Sequence, residues 1–145
     1  MDIIIAAIGK LKGEEQALFK RYANRLRWKV KIVEKPERGS KSEEAKLLAT
    51  SLAPAKKLVA LDERGEDMSS VKLARWIDRH LEDGDKPLAF IIGGADGLDP
   101  DLIAQADLRL RFGSQTWPHQ LVRVLLAEQL YRAQTILDGH PYHKA

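Results

Sequence analysis

Apolar runs of strand length alternate with segments of helical spacing along this whole chain, and that alternation restricts the fold more than any other feature. Residues 3–8 are a β-branched run closed by Gly9 and read as a buried strand. Residues 14–27 carry Ala17, Leu18, Tyr22 and Leu26 at helical spacing, which predicts a helix with those side chains inward. Residues 28–33, from Trp28 on, alternate at period two, as a strand with one wetter face does. Pro36 and Gly39 mark a loop. Ser40 with Glu43 three positions later then forms a capping-box pattern for a helix over about 41–52, with Ala45, Leu48 and Leu52 inward. Residues 58–61 predict a third strand, ended by the polar turn Asp62, Glu63, Arg64 and Gly65. Ser69 or Ser70 caps a helix running to about Leu81, with Leu73, Ile77 and Leu81 at fourfold spacing, and Gly84 and Pro87 close that unit. Residues 88–92 are the most apolar strand. Asp99 at the N-cap and Pro100 at N1 open a short helix, and residues 108–112 alternate as a fifth strand. Residues from about 117 to 137 fit one long helix, opened by Pro118 and stopped by Gly139 and Pro141.

Strands separated by helices require an α/β fold with a mostly parallel sheet covered by helices on both faces. No Gly/Ser-rich linker interrupts the 145 residues, so residues 1–145 are read as one domain. No apolar run approaches the roughly 18–20 residues that cross a bilayer, so no membrane partner is expected. The first residues have no basic stretch before their apolar run and do not read as a signal peptide. Cysteine is absent, which excludes disulfides, thiolate metal sites and a cysteine nucleophile; a reducing cytoplasm is the expected location.

Charge is distributed unevenly. Residues 1–60 hold 14 Lys and Arg against 7 Asp and Glu, whereas residues 61–110 hold 6 against 12. A basic first third suits contact with a polyanion such as RNA, because neutralising phosphates gives affinity independent of sequence. A solvated helix face with some basic excess accounts for the same counts.

In open α/β sheets, ligands collect at the carboxyl ends of the strands. Three such ends are unusual here: residues 61–65, residues 92–97 with Gly93, Gly94 and Gly97, and residues 112–119 with Gly113, Ser114, Gln115, Thr116, Trp117 and Pro118. Glycines after a buried strand let main-chain groups approach a ligand; they also serve in a plain tight turn. The spacing of residues 93–97 is neither the dinucleotide fingerprint nor a phosphate loop, and Asp96 repels phosphate, so a neutral or zwitterionic cofactor is expected. No Gly-x-Ser-x-Gly elbow is present, and His80, His119, His140 and His143 lack zinc-pair spacing, so no hydrolase triad and no metal are expected.

The last third is rich in polar groups that a plain core helix would not need, with Arg123, Glu128 and Arg132 among Leu121, Val124, Leu125, Leu130 and Tyr131. Glu128 and Arg132 stand at i, i+4, the spacing of an ordinary surface ion pair worth a few tenths of a kcal/mol. The tail Gly139, His140, Pro141, Tyr142, His143, Lys144 combines a stiff residue, an aromatic ring and titratable groups, a set suited to an RNA base and its phosphates.

These blocks together, with residues 61–65, 90–98, 116–124, 128–133 and 141–144 in this order, resemble the RlmH-type family of bacterial ribosomal RNA large-subunit methyltransferases within the SPOUT superfamily. The resemblance spans the chain. It implies a SPOUT-type fold with a C-terminal trefoil knot and transfer of a methyl group from S-adenosylmethionine to N3 of a pseudouridine in 23S rRNA on the assembled ribosome. It also implies a homodimer. The cofactor would be held by Leu61, Gly93, Gly94, Gly113, Ser114, Gln115, Thr116, Trp117 and Pro118, and the tail would cross to the partner subunit. Methyl transfer to an imide N3 needs groups that take its proton or stabilise the anion, for which Glu128, His143 and Arg132 are the candidates with no single base assigned. The catalytic group is then Glu128, Arg132, Tyr142, His143 and Lys144, with Arg132 and Lys144 on anions and phosphates, Tyr142 stacking or positioning, and Glu128 orienting. Trp117 stands where that family more often has Leu or Met, and Lys144 where Arg also occurs. Rival readings are a SPOUT methyltransferase acting on tRNA, a non-catalytic rRNA-binding assembly factor and, third, a nucleotide hydrolase.

Overall fold

The computed structural model describes residues 2–55, 57–81 and 86–144. Its elements run in the order β1 (Asp2–Ile8), α1 (Gly13–Ala23), β2 (Lys29–Lys35), α2 (Lys41–Leu52), β3 (Lys57–Asp67), α3 (Ser70–Leu81), β4 (Leu88–Ile92), α4 (Pro100–Ala104), β5 (Leu108–Arg111) and α5 (His119–Asp138). The five strands form one sheet in the order β2-β1-β4-β3-β5, and every pairing is parallel. The α/β expectation holds, with strands and helices alternating as the apolar pattern indicates.

Alternate residues of the central strands feed two cores. Ile3, Ile5, Val59, Phe90 and Ile92 pack with Phe19 of α1, Leu73 and Ile77 of α3, and Leu126 and Leu130 of α5. Ile4, Ala6, Ile8, Ala60 and Ile91 pack on the opposite side with Leu48 of α2 and Leu102 of α4. Three helices therefore cover one face and two the other. β1 and β4 are buried along almost their whole length, as central parallel strands must be, whereas β2 is an edge strand with exposed lysines.

Local signals at the helix starts behave as expected. Ser40 accepts from the Glu43 N–H at 3.2 Å, Ser69 accepts from the Lys72 N–H at 3.1 Å, and Asp99 accepts from the Asp101 N–H at 2.8 Å. Ser69 is thus the cap of α3. Gly139, at φ +70°, closes α5 in the left-handed conformation.

Three expectations need correction. In α1 the inward stripe starts at Phe19, with Tyr22 and Ala23 on the same side, while Ala17 and Leu18 are exposed and Leu26 lies beyond the helix. Positions 19, 22 and 23 satisfy the same helical period, shifted around the axis. The polar segment after Leu61 does not end its strand: the chain leaves the ladder there and rejoins it at Glu66, opposite Leu110. Gly65 makes that return possible, because a Cβ there would stand 2.8 Å from the Arg109 carbonyl. The long helix starts at His119, two residues later than its apolar pattern suggests, since Trp117 and Pro118 belong to the preceding loop. Gly84 and the Leu81 side chain lie outside the described residues.

Candidate active site

Each unusual strand end contributes a differently built loop. After β4, Gly93 and Gly94 are buried, and a Cβ on Gly93 would come within 2.5 Å of the Gly97 carbonyl carbon. The Gly97 N–H donates to the Gly94 carbonyl at 3.0 Å, and Gly97 sits at φ +84°. Those glycines do make a tight turn, and the same turn exposes main chain to a cavity. After β5, Gly113 takes φ +98°, and the Trp117 indole N–H donates to the Phe112 carbonyl at 2.9 Å, closing the loop on itself. The excursion within β3 is tied to that loop, because the Thr116 hydroxyl donates to the Glu63 carboxylate at 3.0 Å.

The three loops enclose one cavity of about 480 Å³. Leu61, Gly93, Gly94, Gly113, Gln115, Thr116, Trp117 and Pro118, which the resemblance assigns to the cofactor, line it; Ser114 lies on the same loop, is exposed and does not line it. Ile92, Leu98, Leu110, Phe112 and Val122 supply further apolar wall. The charged residues in the lining are Asp62, Glu63 and Arg111, with His119 beside them. Arg111 is already engaged: its Nε and Nη2 donate to both Asp67 oxygens at 3.0 and 2.8 Å. That hydrogen bond holds the Asp67 carboxyl below its usual range and raises the Arg111 guanidinium, with the Gly113 backbone adding to the effect on Asp67. The cavity therefore offers main-chain groups, apolar wall and two carboxylates, and no uncommitted Lys or Arg among the described residues. Such a lining suits a nucleoside that carries positive charge, and it disfavours a phosphate.

A second cluster lies on α5 and the tail. The Arg132 Nε donates to Glu128 Oε1 at 2.9 Å, and the Tyr142 hydroxyl donates to the same oxygen at 3.0 Å. Arg132 Nη1 lies 3.0 Å from His143 Nδ1. A guanidinium has only donors, so Nδ1 accepts and a neutral His143 carries its proton on Nε2. The Tyr142 ring sits edge-on to Tyr131 at 4.8 Å and under the Arg132 guanidinium at 4.8 Å. Burial, followed by the Glu128 hydrogen bond, pushes the Tyr142 phenol up to about 12; the Glu128 hydrogen bond likewise raises Arg132. The structure thus brings Glu128, Arg132, Tyr142 and His143 together, with Lys144 exposed beyond them. None of the five lines the cavity of its own chain.

Other polar residues hold the frame. Arg123, 1% exposed, donates to Glu34 Oε2 at 2.6 Å and to the Gly9 carbonyl at 3.1 Å, fixing α5 to the end of β1. Burial lowers the Arg123 pKa, partly offset by Glu34. Gln134 accepts from the Arg27 N–H at 2.7 Å and donates to the Arg25 carbonyl at 3.1 Å, pinning the α1–β2 connection to α5. The sequence marks Arg123 as unusual in a core helix but gives no sign of Glu34 or Gln134, whose partners lie far away in the chain.

Residues 1–143 match the family described as "Predicted SPOUT methyltransferase". The chain belongs to the SPOUT methyltransferases. Among curated relatives, "Ribosomal RNA large subunit methyltransferase H" of Rhodospirillum rubrum is 45% identical, with 100% of each chain covered. The protein of the same name from Paramagnetospirillum magneticum is 47% identical, with 99% of each covered. Solved structures show the same fold at low identity. A probable methylase family protein from Haemophilus influenzae aligns with TM-score 0.63 and 11% identity, covering 99% of this chain and 70% of its own. TrmJ from Z. mobilis aligns with TM-score 0.58 and 15% identity, covering 93% and 70%. This SPOUT chain is a methyltransferase whose full-length relatives carry rRNA names, and it has no helix, among the described residues, long and apolar enough to cross a membrane.

Proposed function

We propose that the cavity binds S-adenosylmethionine and that the chain, as a homodimer, methylates N3 of a pseudouridine in 23S rRNA on the assembled ribosome in the cytoplasm. The observation that carries this reading is the convergence of three strand-end loops on one cavity with two carboxylates and, among the described residues, no uncommitted Lys or Arg. Main chain at Gly93, Gly94 and Gly113 can hydrogen-bond a nucleoside and a zwitterionic amino-acid moiety, and Asp62 and Glu63 favour positive charge beside them. The cofactor supplies a methyl group bound to a sulfonium, which is electrophilic without metal assistance. The work left to the protein is alignment of donor and acceptor, which by itself lowers a barrier substantially.

The acceptor nitrogen must give up its proton, to His143, to Glu128 or to solvent, and carry negative charge as the methyl arrives. Arg132 and Lys144 serve that anion and the neighbouring phosphates, where Lys144 acts as a point charge rather than a fork. Tyr142 keeps its proton at any physiological pH and donates it in the hydrogen bond to Glu128, so it positions the base through its ring surface and through a hydroxyl oxygen that accepts. Glu128 has its Oε1 taken by Arg132 and Tyr142, so its role is to orient them.

The two halves of the site lie apart within one chain, which supports completion by a second copy. The tail is fastened to its own α5, so α5 and tail would approach the partner's cavity as one body. The apolar α5 packs between α1 and α3 of its own chain, and the Leu121 and Trp117 side chains, 39% and 41% exposed, remain at its N-terminal end for a partner to cover. The trefoil knot belongs to the same reading: β5 lies outside β3, and the chain then returns across the sheet to α5. Calorimetry with S-adenosylmethionine on the pure protein tests the cofactor: saturable binding at micromolar concentration is expected, and none at high micromolar concentration would favour an assembly factor. Mass spectrometry of rRNA from a strain lacking the protein should show one methylated pseudouridine lost; an unchanged rRNA would refute the substrate.

A further inference from the structure

Glu128 is held from both sides. Its Oε1 receives Arg132 and Tyr142, whereas its Oε2 accepts a hydrogen bond from Gln129 Nε2 at 3.0 Å. Consecutive residues on a helix point about 100° apart, so this contact forms only if the Gln129 side chain is bent toward its neighbour and kept there. The structure supplies what keeps it: the Ser70 hydroxyl donates to Gln129 Oε1 at 2.7 Å. With that oxygen occupied, the amide presents its NH₂ to Glu128, and a flip would set its oxygen against the carboxylate and lose that bond.

Ser70 is the first residue of α3, three positions after Asp67. Asp67 is the carboxylate that binds Arg111 and receives the Gly113 N–H, at the root of the loop lining the cavity. A cleft of about 420 Å³ between α3, β5 and α5 is lined by Asp67, Ser70, Arg111, Gly113 and Gln129 together. One short stretch of chain thus connects the base of the cavity loop to the carboxylate that organises the tail.

We propose that Gln129, clamped by Ser70, is a positioning residue for methyl transfer: it fixes the Glu128 carboxylate so that Arg132 and Tyr142 meet the acceptor in one geometry. This rests on the reading of the tail cluster as the acceptor side of the site. Without Gln129, Glu128 Oε2 loses its donor, and the carboxylate, still bonded through Oε1, can turn about that oxygen and carry Arg132 and Tyr142 with it. Hydrogen bonds to a charged group are among the stronger ones in proteins, and small misplacement of a reacting pair is costly in rate.

The test is steady-state methylation of large ribosomal particles from a strain lacking the protein, with kcat and KM determined separately and cofactor affinity measured by calorimetry. Gln129→Ala is expected to lower kcat about tenfold while cofactor Kd stays within about twofold. Gln129→Glu keeps the length and the acceptor for Ser70 but removes the donor, so it should lose at least as much, and it guards against a cavity effect of the alanine. Ser70→Ala should lose less, about threefold, Ser70→Thr should restore the rate, and Ser70→Ala combined with Gln129→Ala should be no worse than Gln129→Ala alone. Full kcat in both Gln129 variants would overturn the proposal, as would a loss confined to cofactor Kd or independent multiplication of the Ser70 and Gln129 effects. Full kcat in Glu128→Gln and Tyr142→Phe would overturn the tail reading itself, and this proposal with it.

Discussion

The cavity and the tail cluster are built from opposite materials. The cavity is main chain and apolar wall: its shape comes from three turns, in two of which a glycine leaves no room for a side chain, since a Cβ on Gly93 would stand 2.5 Å from the Gly97 carbonyl carbon and one on Gly65 2.8 Å from the Arg109 carbonyl. The cluster is side chain throughout, with Glu128, Arg132, Tyr142 and His143 joined at 2.9–3.0 Å on one helix and its tail. A site of the first kind resists side-chain trimming but not an added Cβ. A site of the second kind loses function atom by atom while the fold stands. The difference teaches where to look for binding and where to look for rate.

The largest effect should follow from Gly93→Val. Its branched side chain has no space against the Gly97 carbonyl, so the turn must open. Cofactor binding should disappear in calorimetry and the melting temperature should fall by about 5 °C or more. Retained affinity would break the comparison at its first term. Next in size, Arg132→Ala should lower kcat by about a hundredfold through loss of the anion contact, with cofactor Kd nearly unchanged. A matching loss in cofactor affinity would place Arg132 on the cofactor rather than on the acceptor.

A pH titration sharpens the same contrast. The Tyr142 phenol is raised from 10.0 to about 12, so the folded chain keeps a proton that the unfolded chain releases. The docking it reports is complete below pH 10 and is lost as pH rises toward 12. Ultraviolet absorbance should show one late-titrating tyrosine that disappears in Tyr142→Phe, with cofactor binding intact at neutral pH; an unchanged titration curve in the variant would contradict the assignment. The smallest effect is expected at Ser40→Ala, which removes the α2 cap. It should cost about 1 kcal/mol in denaturant unfolding and leave both cofactor affinity and kcat in place.

Signals that act within a few residues were legible in the sequence. Ser40, Ser69 and Asp99 cap helices because their side chains reach backbone two or three positions on, whatever the rest of the molecule does. Residues 88–92 read as a central strand because only a strand covered on both faces tolerates so continuous an apolar run. The cavity loops were legible for a related reason: strand ends in parallel sheets share one side of the molecule, and glycine marks where backbone comes close. Long-range pairing left no such mark. The return of β3 at Glu66 depends on β5 lying beside it, and Gln129 becomes functional only because α3 delivers Ser70 to it. In α1, Leu18 and Phe19 are equally apolar, and only the position of α5 decides which one is buried. Arg123 stands out in the sequence as a charge in an apolar helix, but its purpose requires Glu34, 89 residues away.

The central claim is that the cavity of one subunit is completed by the α5 and tail of another, and mixing two disabled variants tests it directly. Thr116→Trp fills the cavity from an exposed loop position, and Arg132→Ala disarms the cluster; each alone should be inactive on ribosomal particles. Co-expressed, they form mixed dimers in which one intact cavity faces one intact tail, and methylation should return to a substantial fraction of the wild-type rate. Mixed dimers that form and stay inactive would show that each chain relies on its own tail, and the account would be wrong.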